Sequence, residues 1–142
     1  MIKGEFDNHG RPIVRATFSC GLSRIPIATP FLIDTGAVST IIMPSTSIKL
    51  QIDFSHLGQS VPINGTGGTI RGYQVRDATI ALVDRGSLYS FITEVRIIDP
   101  AEQPNLQFPS ILGCSMWSQW GLTIYKELNL NDIDPRKPPD SL

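Results

Sequence analysis

Short apolar segments alternate with turns along most of this chain. Residues 27–33 form a mostly apolar run, and residues 89–98 alternate between apolar and polar positions, as a half-buried strand does. Between residues 61 and 83, two further apolar segments flank a glycine-rich stretch and are typical of a hairpin. Twelve glycines and eleven prolines punctuate these segments. The pattern therefore predicts an all-β domain in which helix is the minority.

The N-terminal half contains two further predicted elements. A first hairpin is expected over residues 4–18, because Asp7–Gly10 has the composition of a turn and an apolar segment follows it. Residues 44–47 read Pro-Ser-Thr-Ser after an apolar segment, so their hydroxyls can cap a short helix that reaches about Gln51.

The C-terminal region is predicted to contain one helix, one strand and a tail. Residues 114–120 place large apolar side chains at helical spacing, and residues 122–125 form a last apolar segment. Residues 129–142 are polar and rich in proline, which predicts an extended or disordered tail. With 142 residues in total, the chain fits a single domain, which we place at residues 1–128.

Composition narrows the possible partners. The formal net charge is -1 and the sequence has no cluster of lysine and arginine, so a nucleic-acid partner is not expected. No apolar run is long enough to span a bilayer and the N-terminus has no apolar signal segment, so we expect no membrane contact and a cytoplasmic location.

Cysteine and histidine do not suggest a metal or cofactor site. Cys20 and Cys114 are far apart in sequence, and His9 and His56 stand alone among polar residues. For the cysteines, a buried free thiol is the first interpretation, a disulfide the second and a catalytic nucleophile the last. We therefore expect a protein without metal or cofactor.

The segment Phe31-Leu32-Ile33-Asp34-Thr35-Gly36-Ala37 carries the candidate chemistry. Asp34 follows an apolar strand directly, where it either begins an ordinary turn or presents a carboxylate for catalysis. Peptide hydrolysis by carboxylates needs two acids that share one proton. The other acids lie in polar turns, so the partner would be Asp34 of a second identical chain across a two-fold axis. We call residues 34–38 the acid loop.

Three segments in this order resemble the signatures of the retropepsin-like aspartic proteases. The first is the acid loop with its preceding strand, the second is the glycine-rich stretch at residues 64–68, and the third is Ser110-Ile111-Leu112-Gly113. The resemblance spans about residues 4–125 and implies a closed β-barrel of the acid-protease fold. That fold would have one short C-terminal helix and a hairpin that acts as a flap.

The resemblance also implies a function and a role for particular residues. The protein would be a homodimeric aspartic endopeptidase that activates a water with two Asp34 carboxylates, and its substrate would be an extended peptide or protein segment. Since the carboxylate pair must hold one proton, an acidic optimum is expected. The implied residues are Asp34 as the catalytic group; Thr35, Gly36 and Ala37 in the acid loop; Gly65, Thr66, Gly67 and Gly68 in the flap; and Ile111, Leu112 and Gly113 as support for the loop.

Two departures from the viral pattern leave alternatives open. Viral members commonly have an aspartate after the alanine of the acid loop, and it pairs with an arginine after the Leu-Gly segment. Here these positions are Val38 and Cys114, so a contact that helps to fix the viral dimer is missing. The alternatives are a catalytically silent peptide-binding or regulatory module of the same fold, and another small β-barrel in which residues 34–36 are only a turn.

Overall fold

The computed structural model describes residues 2–23, 25–65, 68–102 and 107–117. Within them lie eight strands, two short helices and one 3-10 turn at Phe54–His56. The helices are α1 (Pro44–Ser47) and α2 (Cys114–Trp117). The strands are β1 (Glu5–Phe6), β2 (Pro12–Ser19), β3 (Ile27–Ile33), β4 (Thr40–Ile42), β5 (Val61–Gly65), β6 (Gly68–Asp84), β7 (Ser87–Ile98) and β8 (Ser110–Leu112).

Six of these strands close into a barrel. Their order is β2-β3-β8-β4-β7-β6, and β6 returns to pair with β2 through Thr17 opposite Ala81 and Phe18 opposite Ile80. The strands β1 and β5 extend the sheet beyond this ring, next to β2 and β6. The described part of the chain therefore confirms the predicted all-β closed barrel.

The core follows from the alternation of side chains along the strands. In β2, Val14, Ala16 and Phe18 are buried while Arg15 points to solvent, as the two-residue period of a strand requires. The largest of the fully buried core side chains come from β2, β3, β4, β6, β7, β8 and the turn after α1. They are Phe18, Phe31, Ile42, Leu50, Ile80, Leu82, Val95, Ile97 and Leu112.

The first predicted hairpin and the hairpin of β6 and β7, which was not predicted, both have tight turns. At the first, the Asp7 carboxylate accepts hydrogen bonds from the backbone N–H groups of His9 and Arg11, each at 2.9 Å. The hairpin of β6 and β7 turns through Arg85 and Gly86, which have φ of 50° and 80°. Because these two residues take up the left-handed conformation of a two-residue turn, β7 begins at Ser87 and not at residue 89.

The helix predicted for residues 44–51 is shorter than expected and is capped differently. It ends at Ser47, its N-cap is Met43, and no side chain caps it. The hydroxyls that predicted a cap make tertiary bonds instead: Ser45 donates to the Phe108 carbonyl at 3.0 Å, and Ser47 donates to the Ile98 carbonyl at 2.9 Å. The serine hydroxyls therefore do not cap the helix, because they donate to carbonyls of other segments that would otherwise lack a hydrogen bond.

Several C-terminal predictions lie outside the described residues. They are the helix beyond residue 117, the strand at 122–125, the tail at 129–142 and the domain boundary at 128. Cys20 is a buried free thiol, whereas Cys114, also free, is only partly buried. Across the described ranges, no helix is long and apolar enough to cross a membrane.

Candidate active site

The strand β3 delivers Asp34 to one end of the barrel. It lies between β2, which is antiparallel to it, and β8, which is parallel to it with Ile33 opposite Leu112. The ladder continues one residue further, since the Asp34 N–H donates to the Leu112 carbonyl at 3.3 Å. Asp34 is therefore fixed by β8, a strand that lies almost eighty residues away in sequence.

The carboxylate of Asp34 is held by its own loop. Its Oδ1 accepts a hydrogen bond from the Gly36 N–H at 2.8 Å, and its carbonyl accepts one from the Ala37 N–H at 3.3 Å. A Cβ on Gly36 would lie 3.3 Å from Oδ1, so a side chain there would crowd the acid. Asp34 is half-buried, and within the described residues its Oδ2 has no hydrogen-bond partner.

The far side of the acid loop is tied to the first turn of α2. The Ala37 carbonyl accepts from the Cys114 N–H at 2.7 Å, and the Val38 carbonyl accepts from the Ser115 N–H at 2.9 Å. With the bond from Asp34 to Leu112, these contacts hold the loop at both ends. The Val38 side chain is left 77% exposed, where the viral pattern has a charged residue.

Gly113 allows this close approach. A Cβ there would lie 2.4 Å from the carbonyl carbon and oxygen of Ser39 and 2.9 Å from the Thr40 nitrogen, distances that no real side chain tolerates. The Gly113 N–H donates to the hydroxyl of Thr40, which is fully buried. The structure thus brings Leu112 and Gly113 against the acid loop, and Ile111 pairs with Ile41 of β4 on the other side.

The glycine-rich hairpin is formed by β5 and the first part of β6. Asn64 lies opposite Thr69 and Gly65 opposite Gly68, and the Thr69 hydroxyl donates to the Asn64 side chain at 2.8 Å. Gly68 has φ of +114°, a conformation that favours glycine. Thr66 and Gly67 lie outside the described residues.

A small apolar cluster connects the base of this hairpin to the strands of the site. Its buried members are Met43, Ile63 and Ile98, and the partly buried members are Ile41, Ile70 and Phe108. Ile41 also pairs with Ile111 in the sheet. The cluster therefore lies between the hairpin and β8, whose next residues hold the acid loop.

Two residues that fix the site, Thr40 and Ser110, were not predicted from the sequence. The Thr40 hydroxyl accepts a hydrogen bond from the Gly113 N–H, and the Ser110 hydroxyl accepts one from the Met43 N–H, each at 3.1 Å. A serine or threonine in a short strand has no sequence feature that marks its hydroxyl as buried. Thr35, which the resemblance implies as an acid-loop residue, has an exposed side chain in the single chain.

Comparison with known proteins supports the fold. No protein-family model matches the chain, and no curated protein is similar to it in sequence. Among solved structures, the EIAV protease complexed with the inhibitor HBY-793 matches with a TM-score of 0.52 and 16% identity, over 86% of this chain and 99% of that chain. At this identity the likeness shows the fold, which is the retropepsin-like all-β barrel.

Proposed function

We propose that this protein is an aspartic endopeptidase that works as a homodimer. In this proposal the Asp34 carboxylates of two chains lie side by side, one activates a water and the other donates a proton to the scissile carbonyl oxygen. The glycine-rich hairpin would close over an extended peptide, which would pair with it as an added strand.

The observation that carries the proposal is the way in which the barrel holds Asp34. Its loop is hydrogen-bonded to β8 at Leu112 and to α2 at Cys114 and Ser115, which is the preorganisation that a catalytic acid needs. An ordinary turn at a barrel end does not require two remote anchors. The similarity to a retroviral protease is a second support, at the level of the fold.

The proposed dimer is needed because the mechanism uses two carboxylates and each chain would supply one, Asp34. In the described residues, the one hydrogen bond of the Asp34 carboxylate comes from Gly36, and no second carboxylate contacts it. A two-fold axis near the acid loop would supply that group, because residue i then meets its own copy. Thr35 and Val38 are exposed on the same loop and would lie at this interface.

The proposal is tested by digestion of a complex peptide pool with three proteins, at pH values from about 4 to 7. They are the wild type, Asp34→Asn and the matched control Asp99→Asn. Asparagine keeps the Oδ1 that accepts the Gly36 N–H, so Asp34→Asn should fold normally. We expect at least about a 100-fold loss of cleavage in Asp34→Asn, the scale of one acid–base group, and no loss in Asp99→Asn.

Sedimentation velocity on the same samples gives the oligomeric state. Cleavage that survives in Asp34→Asn would contradict the proposal. A dimeric wild type that binds peptides without cleaving them would favour a catalytically silent peptide-binding module.

A further inference from the structure

A second candidate site lies apart from the acid loop, in a surface cavity of about 300 Å³. The cavity is bordered by the first hairpin, by β3 and α1, and by residues just before β8. No residue of the acid loop lines it. Its volume is at the lower end of those that hold small molecules.

One wall of the cavity presents an oriented guanidinium group. The Nε of Arg11 donates to Asp7 Oδ2 at 2.7 Å, and the guanidinium carbon lies 4.8 Å from the centre of the Phe108 ring. Asp7 Oδ1 is occupied by the backbone N–H groups of His9 and Arg11. The ion pair and the ring fix the arginine, and its terminal nitrogens have no acceptor among the described residues.

The threonine hydroxyls of the cavity have one hydrogen that no described acceptor takes. Ser110 donates to the Thr46 hydroxyl at 2.9 Å, and the hydroxyls of Thr46 and Thr29 lie 3.1 Å apart. Each hydroxyl carries a single hydrogen, so one threonine donates to the other and the remaining hydrogen has no acceptor in the described part of the chain. Thr29 and Thr46 both line the cavity, with 6% and 2% of their surface exposed.

The other lining groups define the ligand further. Lys49 is exposed and has no ion-pair partner among the described residues. Ile13, Pro30 and Pro109 supply apolar walls. Asp7 also lines the cavity, but its charge is balanced by Arg11, so Lys49 leaves one net positive charge among the lining groups. A ligand that suits these surroundings carries a negative charge, an acceptor oxygen for the threonine hydroxyl and an apolar body.

We propose that this cavity binds a small carboxylate with an apolar body, which is either a free branched-chain acid or the C-terminal residue of a peptide. Carboxylate oxygens accept from guanidinium, ammonium and hydroxyl donors together, and the apolar walls favour a carboxylate with a side chain over inorganic phosphate. The proposal does not depend on the peptidase activity.

The test is an NMR titration of the full chain with four probes. Isovalerate represents the free acid and N-acetyl-leucine represents the peptide C-terminus. Isovaleramide is the neutral analogue, and inorganic phosphate is the anion without an apolar body. We expect saturable shifts at Thr29, Thr46 and Lys49 with the two carboxylates, and binding at least about tenfold weaker with the amide and with phosphate, the scale of a lost charge-assisted bond.

Variants separate this cavity from general charge attraction. Lys49→Met alters an exposed side chain that makes no hydrogen bond or ion pair among the described residues, and it should weaken carboxylate binding about tenfold. Lys3→Met, which changes an exposed lysine outside this cavity, should leave binding unchanged.

The source of the carboxylate follows from the two carboxylate probes. Tighter binding of N-acetyl-leucine than of isovalerate would identify a peptide C-terminus as the ligand, and the reverse order would identify a free acid. The proposal is overturned if no probe saturates, if the amide or phosphate binds as tightly as the carboxylates, or if Lys49→Met has no more effect than Lys3→Met.

Discussion

Asp34 and Asp99 hold their carboxylates in the same local way. Each follows a strand directly, accepts the N–H of the second residue after it on Oδ1, and accepts the N–H of the third residue on its carbonyl. Both are half-buried. Among the described residues, the difference is that the loop of Asp34 is hydrogen-bonded to β8 and α2, which are remote in sequence. A catalytic interpretation of the residue therefore depends on the barrel and not on the turn.

Asp7 is the residue at which the chain's electrostatics can be tested by pH. The backbone N–H of Arg11 lowers the pKa of the Asp7 carboxyl from its usual 3.8, burial opposes this, and the Arg11 side chain and the His9 N–H add to the lowering. Because the folded pKa lies below the unfolded one, Asp7 stabilises the fold fully above the unfolded pKa. This stabilisation is lost as the pH falls toward the folded pKa.

We therefore expect Asp7→Asn to lower the urea midpoint at about pH 6 and to lower it less at about pH 3, where the carboxyl of the unfolded chain is mostly protonated and part of the stabilisation is lost. Glu5→Gln is the control, since it removes an exposed ion pair with Arg15 in the same hairpin and should change the midpoint little. An equal effect of Asp7→Asn at both pH values would show that the charge of Asp7 does not contribute.

Among the elements, β8 matters most to the site although it has only three residues. It pairs with β3 in parallel and with β4 in the antiparallel sense, so it joins two strands that are consecutive in sequence. The sequence predicted the apolar segment and the neighbouring glycine. It could not predict the place of β8 between β3 and β4, because that depends on pairing between residues far apart in the chain.

Substitution of Gly113 tests whether the residue after β8 must approach the backbone of Ser39 and Thr40 closely. Gly113→Ala would place its Cβ 2.4 Å from the Ser39 carbonyl, so backbone has to move and we expect a loss of about 3 kcal/mol or more in the free energy of unfolding. Because the same movement disturbs the acid loop, any peptidase activity should fall further than stability alone explains.

Gly58→Ala is the matched control for this prediction. Gly58 has no heavy atom within 4 Å of the position of an added Cβ and does not have a positive φ. The substitution should change the free energy of unfolding by less than about 0.5 kcal/mol or stabilise the fold slightly. If both variants unfold at the same denaturant concentration, the close approach at Gly113 is not a constraint.

At the scale of the whole molecule, local patterns predicted the strands, whereas the closed barrel was predicted from the family resemblance alone. The apolar segment after the first turn and the alternation at residues 89–98 placed β2 and β7 close to their observed bounds. The return of β6 to β2, which closes the barrel, joins Thr17 to Ala81, and no local pattern specifies such a contact. The buried hydroxyls of Thr29, Thr40 and Ser110 were missed for the same reason, since their partners are set by the fold.

The proposed shared active site makes a prediction that concerns two molecules at once. If each site needs one Asp34 from each chain, a mixed dimer of wild type and Asp34→Asn contains a single carboxylate and is inactive. In an equal mixture with random exchange, only about a quarter of all dimers are fully wild type. The same amount of wild-type chain therefore shows about half of the activity that it had before mixing. A mixture with Asp99→Asn should retain the full activity of both chains.

Exchange is checked by mass spectrometry of intact dimers with one isotope-labelled chain. Activity that stays constant while mixed dimers form would mean that each chain carries a complete site, and the two-fold shared carboxylate pair would have to be abandoned.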